Sequence, residues 1–320
     1  MKKSKLLKHT YSKVFVPASV SNAGPGFDTF GFALENLGDI IEIKSNDSGE
    51  VKISSITGDG GKLSKNNSDN TAAVAAISLM KEIKADFGIE MVINKRMPFS
   101  SGLGSSAASA VGAAYAVNSL LKKKLSDDKV ILHALEGEKT ASAGNIHADN
   151  VAPAFYGGFT IVRSLDPVDI IRIKFPKELI CLVIYPHISI TTKDSRKILP
   201  ANVTMTAAVK QSANAGSLIA GILTKDFNLI SRSMTDFIAE PMRKKLIPHY
   251  QELKTLIIKE GGLNFNISGS GPALFCLFEK SIKIESVKKR VTKELVKMQF
   301  EADVFISKVN RKGPELLSIK

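Results

Sequence analysis

Apolar residues return every three or four positions in some stretches of this chain and alternate or run together in others, which divides it into helices and strands. Residues 14–16 (VFV) read as a strand that ends at Pro17, and residues 39–44 (DIIEIK) alternate in strand fashion. Residues 45–69 are polar and turn-rich; Asn70 then supplies an N-cap for a helix over residues 72–83. An apolar run after Gly88 stops at Pro98, crosses a loop of small residues and becomes an alanine-rich segment. There Ala110, Ala114, Val117 and Leu121 recur at intervals of four, three and four, on one helix face fit for burial. Ser126, Asp127 and Asp128 open another helix over about 127–141, and residues 158–162 (GFTIV) return to a strand.

The pattern breaks at Leu165, Asp166 and Pro167. Beyond it, strands are expected near 170–174 and 179–185 and helices from about 204 to 260. Strands over 263–267 and 273–278, a helix over 281–296 and a strand over 302–308 close the chain. Strands alternating with helices and a hairpin imply an α+β architecture with helices covering one sheet face. At 320 residues the chain exceeds one typical domain of about 100–200, so two are expected, 1–165 and 166–320.

Hydrophobic residues make up 44%, enough for packed cores, yet no run nears the roughly 18 consecutive apolar residues that cross a bilayer. The basic start, MKKSKLLKH, lacks the apolar core of an export signal, so a cytoplasmic protein with no membrane partner is expected. Cys181 and Cys276 are the only cysteines, both inside apolar runs, and read as buried thiols in a reducing compartment. Net charge is +13, from 44 Lys and Arg against 31 Asp and Glu, an excess that favours polyanions. The lysines are nevertheless dispersed, without interleaved aromatics and with no tryptophan, so a solvated basic surface and no nucleic-acid partner are expected. An RNA-binding protein is the non-enzymatic alternative on charge alone.

Chemistry concentrates in four clusters. The first is the loop Ser100, Ser101, Gly102, Leu103, Gly104, Ser105 and Ser106, with two glycines and four hydroxyls, ahead of the alanine-rich helix. Glycines let backbone approach an anion closely, while the free N–H groups and the dipole of a helix start point at it. The pattern suits phosphate. A GxxxxGK[ST] loop is excluded, since no Gly-Lys-Ser/Thr occurs. The dinucleotide fingerprint GxGxxA matches residues 102–107, but the apolar strand and acidic residue that should follow are replaced by Lys122, Lys123, Lys124 and another helix. A turn serving only helix packing is the structural alternative.

The second cluster, residues 16–28 (VPASVSNAGPGFD), places Asn22 and Asp28 in an otherwise apolar stretch, as turn formers or as a site. The third combines Glu138 with residues 144–150 (GNIHADN) and the pair Gly157 and Gly158. A carboxylate, an amide and an imidazole there can orient a hydroxyl and hold magnesium around phosphates. The fourth, residues 266–275 (NISGSGPALF), is a glycine turn between apolar strands, either a plain hairpin or a second backbone nest.

Together and in this order, these segments resemble the GHMP kinase superfamily of small-molecule kinases. PFSSGLGSSAA (98–108) looks like its phosphate-binding motif and SGSGP (268–272) like its C-terminal motif. Within the superfamily, SNAGPGFDTFG, HADNVAPAFYGGF, TTKDSRKILP and EPMRKKLIP are similar to signatures of the homoserine kinases. The resemblance covers most of the chain. It implies a two-domain GHMP kinase fold: an N-terminal ribosomal-S5-like α/β domain that binds ATP, a C-terminal ferredoxin-like α+β domain, and an active cleft between them. It also implies ATP-dependent phosphorylation of L-homoserine, a step towards threonine, and a homodimer.

Carried over residue by residue, the resemblance assigns the triphosphate to Pro98, Phe99, Ser100, Ser101, Gly102, Leu103, Gly104, Ser105, Ser106, Ala107 and Ala108, with Asn70 lining the base pocket. Ser106 and Glu138 would hold Mg2+, with Ser105 and Glu136 as the alternatives. Asp28 meets the substrate ammonium beside Asn22, Arg196 and Arg243 clamp its carboxylate, and Thr192 and His147 complete the contacts. Asp149 aligns with the general base of other superfamily members, with Asn150 beside it. Phosphoryl transfer is mostly positioning and charge neutralisation, so a hydroxyl hydrogen-bonded to this pair could attack without full deprotonation. A GHMP kinase for an acceptor that is not a zwitterion, such as mevalonate, is the enzymatic alternative, which Asp28 and the two arginines disfavour.

Overall fold

The structure, a computed structural model, describes residues 4–98, 100–141 and 146–320; Phe99 and, from the third cluster, Gly144 and Asn145 lie outside the described residues. Alternating burial builds the first sheet from β1 (Tyr11–Ser21), β2 (Phe30–Asn46), β3 (Val51–Thr57) and β4 (Gly88–Asn94). A hairpin of β5 (Phe159–Leu165) and β6 (Val168–Ile173) joins it through Phe30, Gly31 and Phe32 of β2. Strand β1 continues past Pro17, because the pairing with β2 shifts register between Pro17 and Ser19 and spares the proline a ladder bond. Strand β3 falls in the stretch read as turns. Only Val51 and Ile53 of its seven residues are buried, so its apolar signal is faint.

Four helices pack on this sheet and on one another: α1 (Thr71–Glu82), α2 (Ser105–Leu120), α3 (Asp127–Ala141) and α4 (Ala148–Tyr156). Asn70 caps α1 as expected, its side chain accepting from the N–H groups of Ala72 and Ala73. Helix α2 is buried nearly all round rather than on one face, with thirteen of its sixteen residues inside. Small side chains let it approach the strands closely; a Cβ on Gly112 would stand 2.4 Å from Ile41 Cγ1. Helix α4 was not expected, since it has nine residues and an internal Pro153 that costs a ladder bond.

The second sheet holds β7 (Leu179–Pro186), β8 (Asn266–Ile267), β9 (Leu274–Glu279) and β10 (Ala302–Ser307), all antiparallel in the order β10-β7-β9-β8. That fourth-first-third-second order is the ferredoxin-like arrangement. Between β7 and β8 run α5 (Thr192–Lys197), α6 (Met205–Thr224), α7 (Phe227–Ser233), α8 (Glu240–Arg243) and α9 (Tyr250–Lys259); α10 (Ile284–Lys297) joins β9 to β10. Leu182, Ile184 and Phe278 pack with Leu253 of α9 and Val291 of α10, whereas Cys181, Val183, Phe275 and Leu277 face the core of the first sheet. One sheet therefore serves two cores. Among the described residues no helix is long and apolar enough to cross a membrane.

The division expected at residue 165 does not follow the sheets. Strand β6 extends the first sheet to Ile173, and the last strand, β11 (Glu315–Ile319), returns to pair with β1. Both are short and half-exposed edges, so neither carries a strong apolar signal.

A buried ion pair ties the first sheet to the start of α2. Lys95, just past β4, donates through Nζ to Asp39 of β2, to the Ser105 carbonyl at 2.7 Å and to Ser109 Oγ at 2.8 Å. Asp39 Oδ1 also accepts from the Arg96 N–H at 2.8 Å and the Met97 N–H at 3.3 Å. Both side chains are almost wholly excluded from solvent. Removing one partner strands the other charge, so Lys95→Met should lower unfolding stability in urea by about 3–5 kcal/mol. Adding Asp39→Asn, whose amide oxygen still accepts from Arg96 and Met97, should recover part of that loss; no recovery would mean that the lysine acts through packing alone.

Candidate active site

The loop between β4 and α2, the β1–β2 loop, α3, α4, α5, α8 and the β8–β9 turn converge on one cleft of about 310 Å³. Its floor is the glycine loop. Ser100, Gly102 and Gly104 have φ of +55°, +80° and +69°, so left-handed residues alternate with ordinary ones, a backbone form that gathers N–H groups on one side. The carbonyls are held from behind. Ser101 O accepts from Ala273 N–H at 2.9 Å, Gly102 O from Ser268 Oγ at 2.7 Å and Leu103 O from Ser19 N–H at 3.0 Å. A trans peptide points the next N–H the opposite way, so Gly102 and Gly104 turn theirs away from these partners. Gly104 is also the N-cap of α2 and no side chain caps that helix, leaving its first-turn N–H groups for a ligand. A Cβ on Gly102 would lie 2.4 Å from Ser268 O, and one on Gly104 2.1 Å from Ser19 Oγ.

The β8–β9 turn does something other than form a second nest. Gly269 N–H donates to Ser21 O at 3.0 Å and Gly271 N–H to Ser268 O at 2.9 Å, so these amides are spent inside the protein. The turn braces the first loop. Within the motif 98–108, Ser100, Ser101, Gly102, Gly104, Ser105 and Ser106 line the cleft. Leu103, Ala107 and Ala108 put their side chains into the core, and Pro98 lies outside the lining. Asn70 lines the cleft as well, though its side chain is engaged: Nδ2 donates to Ser64 O at 2.8 Å while Oδ1 caps α1.

Two buried carboxyls stand beside the loop. Ser106 Oγ donates to Glu138 Oε1 at 3.0 Å, and burial pushes Glu138 up to about 8, with the Ser106 bond opposing and Asp149 adding to the rise. Glu136 instead pairs with Lys139 at 2.6 Å on the exposed side of α3 and does not line the cleft. Ser105 Oγ is buried without a hydrogen-bond partner among the described residues. Asp149 does not line the cleft; its Oδ2 accepts from Asn22 N–H at 3.3 Å. The Ser21 hydroxyl faces the Asp149 carboxyl outside hydrogen-bonding geometry. Burial, then the charge of Asp28, pushes Asp149 up to about 7. Asn150 does line the cleft, its Oδ1 accepting from Ser19 Oγ at 2.9 Å.

The far end of the cleft is charged. Asn22 and Asp28 both adopt left-handed φ, +54° and +55°, and Asn22 Oδ1 accepts from Asp28 N–H at 2.7 Å. Arg196 Nη2 reaches both oxygens of Asp28, at 3.0 and 2.8 Å, so two groups assigned to opposite ends of a ligand pair with each other. Arg243 is buried, donating from Nη1 to Gly269 O at 2.8 Å and from Nε to Ser195 O at 3.4 Å. Both guanidiniums lie over the Phe27 ring, at 5.8 Å for Arg196 and 5.1 Å for Arg243. Thr192 Oγ1 is 3.5 Å from Ser270 Oγ, and His147 lines the wall, its imidazole held below the usual range by burial and Arg196. Lys95, Thr71 and Ser109 also line the cleft without having been expected there. Lys95 had one signal, the charged pair that it forms with Arg96 at the end of an apolar strand.

The chain is similar to known proteins in sequence and in fold. The family description GHMP kinases N terminal domain matches residues 70–158, and GHMP kinases C terminal matches 218–297. The chain is 39% identical over 314 residues to a homoserine kinase of Chloroherpeton thalassium, covering 95% of this chain and 98% of that one. It is similar to the crystal structure of homoserine kinase from Cytophaga hutchinsonii, at 41% identity and a TM-score of 0.93 over 97% and 98% of the two chains. A mevalonate kinase of Methanococcus jannaschii, at 19% identity, is similar in fold, with a TM-score of 0.70 over 94% and 98%.

Glu138 and Asp149 both titrate higher in the folded chain than a free carboxyl does, so between about pH 4 and 8 the folded state binds more protons than the unfolded state. Stability without ligand should therefore fall as pH rises through that window. Glu138→Gln removes one contributor and should raise Tm at about pH 8.5 far more than at about pH 5. Calorimetry at the two pH values reads the difference, and equal shifts would contradict the assignment.

Proposed function

The chain belongs to the GHMP kinase family, and we propose that it transfers the γ-phosphoryl group of ATP to the hydroxyl of L-homoserine, giving ADP and O-phospho-L-homoserine, a step towards threonine. One observation carries the reading: an anion-accepting glycine loop opens on the same cleft as the Asp28 carboxylate, which pairs with Arg196 outside the lining, and the Arg243 guanidinium. The loop and the α2 N-terminus are suited to the phosphates of ATP. Homoserine is a zwitterion, and the far end offers one group for each of its charges. Its ammonium can replace Arg196 as the partner of Asp28, while its carboxylate takes Arg196 and Arg243. An acceptor lacking either charge would leave one of these groups without a counter-ion, at a cost in desolvation.

Among the described residues no group of three or more His, Cys, Asp or Glu side chains is placed to hold a metal ion by itself. The residues fit Mg2+ of the kind that arrives with nucleotide phosphates and takes only one or two protein oxygens. Ser106 and Glu138 would hold it, with the Ser105 hydroxyl beside them; when bound it would neutralise phosphate charge. Asn150, which lines the cleft, can then orient the acceptor hydroxyl, while Asp149, a carboxyl held up to about 7 by burial, sits one residue back behind the lining with the Asn22 N–H. We assign the protein to the cytoplasm, where the buried thiols of Cys181 and Cys276 stay reduced. As a homodimer, a second copy would cover the exposed apolar side of α6 at Met205, Val209 and Leu223.

Purified protein with Mg-ATP should release ADP when given L-homoserine and not when given mevalonate; the reverse preference, or no release with either, would sink the reading. Arg196→Ala and Arg243→Ala each remove a charged hydrogen-bond donor worth about 1.5–3 kcal/mol, so the KM for homoserine should rise roughly 10- to 100-fold. The KM for ATP should stay near its wild-type value.

A further inference from the structure

Gln211 lies on α6, outside the cleft, and is only 8% exposed. Its carboxamide is fully engaged. Nε2 donates to Pro25 O at 2.8 Å and to Asp236 Oδ1 at 3.0 Å, while Oε1 accepts from Phe237 N–H at 2.8 Å. The partners come from opposite sides of the acceptor end. Pro25 sits in the β1–β2 loop, three residues from Asp28 and two from Phe27. Asp236 sits ahead of α8, where its carboxylate accepts from the N–H groups of Ile238 at 2.8 Å, Ala239 at 3.2 Å and Glu240 at 2.8 Å. It thus fixes the start of the short helix that carries Arg243.

Two further contacts show that these segments meet closely. Gly24 has φ of +59°, and a Cβ there would stand 2.9 Å from Met234 Sδ and 3.1 Å from Met234 Cα. The Arg243 guanidinium lies over Phe27. We propose that Gln211 is a positioning residue for the acceptor site, an amide bridge that sets the distance between the loop bearing Asp28 and the turn bearing Arg243. The inference rests on reading this end of the cleft as the homoserine site.

A primary amide suits the task chemically. It supplies two donor hydrogens and an acceptor without charge, matching a carbonyl, a carboxylate and an N–H at once. A glutamate would set a second carboxylate against Asp236 and could not donate to Pro25, and a leucine would leave the Pro25 carbonyl and the Phe237 N–H buried without this partner. Small misplacement of positioning groups weakens a site out of proportion to the movement.

The test is steady-state kinetics of wild type, Gln211→Leu, Gln211→Glu and Asp236→Asn, varying L-homoserine and ATP separately, with thermal unfolding of each. Gln211→Leu and Gln211→Glu should raise the KM for homoserine about tenfold or more and leave that for ATP within about twofold. A purely structural Gln211 would instead reduce the folded fraction, lowering apparent kcat with both KM values unchanged, and that outcome overturns the proposal. If neither Gln211 variant melts cooperatively, Asp236→Asn carries the test, with a rise in homoserine KM of about threefold or more expected and no rise refuting the bridge. A wild-type protein inactive with homoserine refutes the acceptor assignment and the bridge together; an active wild type whose variants keep its homoserine KM refutes the bridge alone.

Discussion

Three carbonyls turned inward make the rest of the site possible. Ser101, Gly102 and Leu103 each give their oxygen to a donor behind the loop, two of those donors coming from the β8–β9 turn of the second sheet and one from β1 of the first. A loop rich in glycine would otherwise sample many shapes, and holding one of them costs backbone entropy. The bonds to Ser268 and Ala273 meet that cost with groups from the other half of the chain, so the anion-accepting face exists only while the two halves are docked. Lys95 secures the same element from below, gripping the Ser105 carbonyl and Ser109 while Asp39 anchors it to β2.

The charges around this loop are arranged at some expense to the empty protein. Glu138 and Asp149 are both raised by burial, which means that neither is comfortable as an anion without a ligand. Asp28 and Arg196 spend their charges on each other instead. These are two solutions to one problem: a carboxyl buried beside the glycine loop can stay protonated, whereas the charged far end, half-exposed, can neutralise itself with an ion pair. An exposed pair of that kind is weak, so a zwitterion can take its place at small cost.

Much of this was legible in the sequence because it depends on local grammar. The cap at Asn70, the small-residue loop before α2 and the turn formers at Asn22 and Asp28 act within a few residues of themselves, where spacing and residue type suffice. Elements that owe their place to distant partners were not legible. Strand β3 survives on an edge through pairing with β4, β11 closes the sheet from the far end of the chain, and α4 tolerates Pro153 because its neighbours bury it. Asp39 and Lys95, 56 positions apart, give no sign of each other in sequence; only the pairing of β2 with β4 brings them together. The glycine turn at 268–272 was seen, but its role was not, since whether its amides point out or in depends on Ser21 and Ser268.

The cleft's two ends differ in how the chain builds them. The glycine-loop end is made from main-chain groups on a loop clamped at several points, and such a feature tolerates side-chain drift. The acceptor end is made from side chains: Asp28 on one loop, Arg196 on α5 and Arg243 on α8, with no strand holding any of them directly. Three short segments from two sheets can keep a common geometry only if something packs them together. Phe27 does so between the arginines, and the buried amide of Gln211 does so between their supports. On the proposed reading, changing the acceptor in such a scaffold would require replacing the charged side chains while keeping that packing, and would leave the backbone-built loop as it is.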